Sequence, residues 1–233
     1  MIDLIYQKIK PTNVLFGIVL IGIGFLPFTP LATFVPYSYQ LSWVSIAAFG
    51  LLAFIVTFGK DSLAKLFSKP IKPGKTIAIF LPLSVIVSII SALVLNNIEG
   101  QTLKANPIIA NINIIDSLSL ITKLLGEELL GLFFLLAFAS LLLPKIGKRN
   151  ALFIGQIISA VVFGLLHFWT YNNGNVIQTL IHILGLMGVS RIVFNAAAIR
   201  SNSIIISWII HVLFDYNAII ISLIPIILKA LSS

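Results

Sequence analysis

Along this chain, apolar runs long enough to be membrane helices alternate with short polar clusters. The runs at residues 13–35, 40–58, 76–96, 118–143, 151–169, 177–198 and 203–228 each approach the length that a helix needs to cross a bilayer. None shows the strict alternation of an outer-membrane strand. The pattern predicts an all-α, polytopic membrane protein with seven to eight transmembrane helices, the eighth arising if Pro225 divides the last run. The stretch 97–117 is the one sizeable polar segment and reads as a loop with room for a short interfacial helix. No internal repeat or soluble domain interrupts the series, so residues 1–233 read as a single transmembrane domain. The first run is long enough to span and reads as a retained helix rather than a cleaved signal.

Composition supports the same class. The chain is 59% hydrophobic and 9% charged, whereas soluble domains carry roughly a quarter of their residues as charges. The lack of cysteine excludes disulfides and thiolate metal sites. A net charge of +8 raises the question of nucleic acid, but the basic residues sit at helix ends. With the N-terminus in the cytoplasm, twelve of the fifteen fall on that side. They are Lys8 and Lys10, then Lys60, Lys65, Lys69, Lys72 and Lys75, then Lys145, Lys148 and Arg149, then Arg191 and Arg200. The excess therefore reports orientation in a cell membrane and contact with anionic lipid, and no nucleic-acid partner is expected.

Ionisable residues inside apolar runs are the candidates for function. They are Glu127, Glu128, His167, His182, His211 and Asp215, with Lys123 and Arg191 nearer helix ends. The first three runs carry none and read as scaffold, which divides the chain into scaffold and polar loop (1–117) and a reactive core (118–220). Phe163 and His167 are four apart and share a helix face, as do His211 and Asp215. Adjacent Glu127 and Glu128 lie about 100° apart around a helix, so one can work while the other braces it. Structural readings exist for each: an interfacial helix start for the acids, an interhelical hydrogen bond for His211–Asp215, and a bond to a neighbouring helix's carbonyl for His182, the preferred reading there. The case for chemistry rests on the set, with a glutamate pair, FxxxH and HxxxD on three successive helices.

In that order and spacing the chain resembles the CPBP (CAAX protease and bacteriocin-processing, or Abi) family of intramembrane proteases, whose pattern is EExxxR, FxxxH and HxxxN or HxxxD. The resemblance covers residues 118–220. One position departs: the arginine of EExxxR falls at 132, which is Leu132. Without it Glu128 lacks its partner one turn away, and Lys123 or Arg191 is expected to supply the positive charge. The resemblance implies peptide hydrolysis in the membrane, with Glu127 as general base on a water and His167 sharing or shuttling its proton. It places His211 and Asp215 around the oxyanion, with His211 donating. An ionised Asp215 accepts only, so it would orient His211 or be protonated. Glu128 would brace the site, and Phe163 would line the substrate face.

No cofactor is implied. The alternative is a divalent metal such as zinc on Glu127, His167 and His211, although the chain has no HExxH. The expected partners are the lipid bilayer and a membrane-associated peptide or protein, as in bacterial bacteriocin self-immunity or peptide-pheromone processing. The competing class is a non-catalytic membrane binding or immunity protein that captures a peptide or regulates a sensor. A small transporter is less favoured, because repeats and broken helices are not evident.

Overall fold

The structure is a computed structural model that describes residues 1–34, 37–98, 103–104 and 114–231, without the side chains of 114, 218 and 220–231. The described residues contain helices and no strand. After a 3-10 turn at Ile2–Tyr6 come α1 (Pro11–Phe25), α2 (Ser45–Phe58), α3 (Pro73–Asn96) and α4 (Ile114–Leu166). Then α5 (Val176–His182) runs through a π-helical turn, Ile183–Gly188, into α6 (Val189–Ser201), and α7 (Ile204–Leu231) follows. Short helices at Ser38–Leu41, Asp61–Leu66 and Phe168–Tyr171 join them.

Local sequence explains most boundaries. Pro11 and Pro73 occupy first helical positions, where a missing N–H costs nothing. The Asn175 side chain accepts from the N–H groups of Ile177 and Gln178 and caps α5. Asn202, left-handed at φ 56°, ends α6. The first run stops as an α-helix at Phe25, ten residues short of expectation, because Pro27 and Pro30 turn the chain into 3-10 segments. The last run passes Pro225 as one helix, so the expected split does not occur. The polar stretch 97–117 lies mostly outside the described residues.

Among the described residues, four helices are long and apolar enough to cross a membrane: Pro11–Phe28, Pro73–Asn96, Ile115–Leu166 and Val176–Ser201. Ser45–Phe58 and Ile204–Asn217 are shorter apolar helices. The expected count of seven to eight is thus not reproduced, partly because two expected spans are arms of α4. At 53 residues, a straight α4 would extend about 80 Å, far beyond a hydrocarbon core of about 30 Å. Gly147, at φ 74° and ψ 166°, breaks it into arms 114–146 and 148–166. The arms run back along each other. The hydroxyl of Ser159 donates to the carbonyl of Gly131 at 2.7 Å, and a side chain at Gly155 would strike the carbonyl of Leu135.

The first arm is the centre of the molecule, with Leu129, Leu132, Phe133, Leu135 and Leu136 fully buried. Glycines let backbones close on it: Gly126 lies against the backbone of Ala47, and Gly50 against Leu129. By contrast α3 exposes Ile86, Ile89, Ile90, Leu93 and Val94. So much continuous apolar surface suits lipid rather than water.

Gly147 occupies a region of φ/ψ space open essentially to glycine alone, and a side chain there costs on the order of 1–3 kcal/mol. Gly147→Ala should therefore unfold at a lower temperature in detergent, while Gly22→Ala, where an added Cβ meets nothing, should not.

Candidate active site

Four helical segments build the site. The first arm of α4 brings Glu127 and Glu128, the second arm brings Phe163 and leads to His167, α6 brings Arg191, and α7 brings His211 and Asp215. Because 131 pairs with 159 and 135 with 155 across the arms, 127 falls level with 163. The tight turn at Gly147 is what sets the two motifs at one depth.

Glu128 is wholly buried and accepts three charge-assisted bonds. Arg191 Nη1 reaches Oε1 at 2.8 Å and Nη2 reaches Oε2 at 2.7 Å, a bidentate fork. His211 Nδ1 lies 2.8 Å from Oε1. An oxygen engaged by a guanidinium is an acceptor, so Nδ1 carries the proton and donates. The cation that meets Glu128 is therefore Arg191. Lys123 lines the cavity instead and makes no ion pair among the described residues.

Arg191 is itself fully enclosed. Its Nε donates to Asn195 at 3.0 Å, and Asn195 donates to Ser159 at 2.9 Å. The guanidinium carbon sits 5.3 Å from the Phe163 ring and 5.5 Å from the Phe194 ring. Phe194 also stacks on His211, with centroids 4.3 Å apart. Phe163 thus packs beside His167, as its spacing predicts, and also beside the arginine.

The two glutamates address opposite nitrogens of one imidazole. Glu127 Oε2 lies 3.9 Å from His211 Nε2, on the edge away from Glu128, and Asp215 Oδ1 lies 4.0 Å from the same nitrogen. His167 Nδ1 approaches the carbonyl of Phe163 at 2.8 Å, so it donates there. Its other ring nitrogen is left for the cavity that His167 lines. Glu127, His167, His211 and Asp215 all border this cavity of about 490 Å³, whose walls are otherwise mostly apolar, and Glu128 does not.

Among the described residues no three histidine or acidic side chains converge as a metal-binding group, so the zinc alternative finds no such set at Glu127, His167 and His211. His182 is buried against Tyr171, with centroids 4.9 Å apart, and its Nε2 has no partner among the described residues. The expected bond to a neighbouring carbonyl is thus not made through that atom. Asn195, Ser159, Phe194 and Tyr171 did not emerge from the sequence. Asn195 and Tyr171 could have been found, each being four residues past a candidate (Arg191 and His167) on the same helix face. Nothing local marks Ser159 or Phe194.

A family model described as type II CAAX prenyl endopeptidase Rce1-like matches residues 117–217. Residues 117–217 are thus similar to that family. The matched region spans both arms of α4, α5, α6 and the first half of α7, and so holds every residue of the cavity motifs. No curated protein and no solved structure matches the chain.

Gly131 is where α4 leaves room for the arginine. An added Cβ would come within 2.7 Å of Arg191 Nε and 2.8 Å of Cζ. A surface arginine would move aside, but this one is pinned at both ends. Gly131→Ala should cost about 1–3 kcal/mol in unfolding measurements, and Glu128→Ala, which strands a buried guanidinium, about 3–5 kcal/mol.

Proposed function

We propose that the chain hydrolyses a peptide bond of a membrane-associated peptide or protein, using a water activated by Glu127 and the cavity histidines. The observation that carries this reading is the separation of labour between the glutamates. Glu127 is partly open to the cavity, with 22% of its side chain exposed, whereas Glu128 is sealed behind His211.

At 3.9 Å, Glu127 and His211 Nε2 are too far apart for a direct hydrogen bond, and a water held by both would be the nucleophile. Glu127 takes a proton from that water as its oxygen attacks the scissile carbonyl. The tetrahedral intermediate then collapses, the C–N bond breaks, and the proton passes to the departing amine. The products are a carboxylate and an amine, with one water consumed. His167 shares the water or relays its proton. His211 and Asp215 border the oxyanion position, where His211 donates when both of its nitrogens are protonated. Glu128 holds His211 on the nitrogen opposite to the one that Asp215 faces. The apolar walls keep bulk water out and suit a hydrophobic substrate.

Bacteriocin self-immunity and peptide-pheromone processing are the settings in which such a hydrolase would act, in a cell membrane with its N-terminus in the cytoplasm. Leu132 at the motif's arginine position would favour the non-catalytic reading, but the Arg191 fork on Glu128 supports hydrolysis instead.

Co-reconstitution in liposomes with a panel of hydrophobic peptides, followed by mass spectrometry, tests the proposal. Wild type should cleave at least one peptide, and Glu127→Ala should lower the rate by about 10²- to 10⁴-fold. Equal cleavage by the variant would sink the reading. Topology reporters fused after residues 104, 147 and 173 should place 147 in the cytoplasm and the other two outside.

A further inference from the structure

The guanidinium that holds Glu128 arrives from a different helix than position 132 would provide, and the surroundings of Arg191 are built for it. Four features form its berth: the Gly131 gap, the Phe163 and Phe194 rings on the guanidinium, Asn195 on Nε, and the Ser159 bond that ties Asn195 to the other arm. Leu132 lies one turn past Glu128 on nearly the same face and is fully buried. A guanidinium carried there would reach the same carboxylate from within α4.

We propose that Arg191 is a positioning residue whose task is to fix Glu128, and through it the His211 ring, and that this task can be performed from either helix. Arg191 takes both Glu128 oxygens, and Oε1 in turn takes Nδ1–H of His211, with Phe194 stacked on the ring face. The ring can therefore neither flip nor swing, and Nε2 is presented to Glu127 and Asp215. Arg191 does not border the cavity. It acts on the reaction only through His211. The groups facing that ring are Glu127 and Glu128 from α4, Asp215 from its own helix, and Phe194 from α6.

The inference rests on the hydrolase reading for its kinetic arm and has a second arm that does not. In the first, Arg191→Leu should lower peptide cleavage by about 10²-fold, and Arg191→Leu combined with Leu132→Arg should return to within about tenfold of wild type. In the second, ¹⁵N-histidine spectra in lipid nanodiscs, assigned with His211→Asn, should show His211 protonated at Nδ1 in wild type. That Nδ1 resonance should shift in Arg191→Leu and return in the double variant. Should Arg191→Leu fail to fold, Arg191→Lys keeps the charge but not the fork, and should lose about tenfold in rate and shift the same signal. A folded Arg191→Leu within threefold of wild type, a double variant as inactive as the single one though folded, or an Arg191→Lys identical to wild type in rate and Nδ1 signal would each overturn the inference. So would a wild-type His211 bare at Nδ1. If wild type cleaves no peptide, the hydrolase reading fails by itself, and the His211 spectra still decide this one.

Discussion

A carboxylate and a guanidinium, both completely shielded from solvent, meet through two parallel hydrogen bonds between α4 and α6, and the rest of the site is arranged around that meeting. Removing both charges from water is expensive, and their attraction repays the cost only where geometry and remaining hydrogen bonds are complete. Most of those bonds are made here. Arg191 also donates to Asn195 and to the carbonyl of Glu127, and Glu128 also accepts from His211. Such a pair adds little net stability over apolar packing, but it tolerates few alternative arrangements. It fixes how α4, α6 and α7 sit against one another, and it does so beside the residues that line the cavity.

The same pair resolves how two neighbouring acids can share a site. Glu127 and Glu128 project in different directions, yet the imidazole of His211 is broad enough to be touched on one edge by each. One acid is satisfied internally, and the other is left partly open to the cavity. The difference comes from which side of the helix faces Arg191, not from any difference between two chemically identical side chains.

Much of this was legible in the sequence because membrane helices expose their chemistry by exclusion. In a chain that is 59% hydrophobic, a glutamate or histidine in an apolar run stands out, and Glu127, His167, His211 and Asp215 did. The four-residue spacings then placed Phe163 beside His167. What could not be read was which distant residue replaces a missing partner: Lys123 and Arg191 were equal candidates by charge, and only the packing of α6 against α4 separates them. The glycine that admits Arg191 was silent too, since Gly131 is defined by what lies across from it. Helix ends were misjudged where proline intervened: Pro27 shortened the first run, whereas Pro225 left the last one whole.

The bond from Ser159 to the Gly131 carbonyl, with Gly155 closed against Leu135, locks the sliding position of one arm of α4 on the other. One residue added to or removed from the second arm would displace everything beyond it by about 1.5 Å and 100°, turning His167 away from the level of Glu127. The second arm of α4 can thus hardly vary in length. The chain's relatives would be recognised by the constancy of the interval between the glutamates and His167 rather than by overall size.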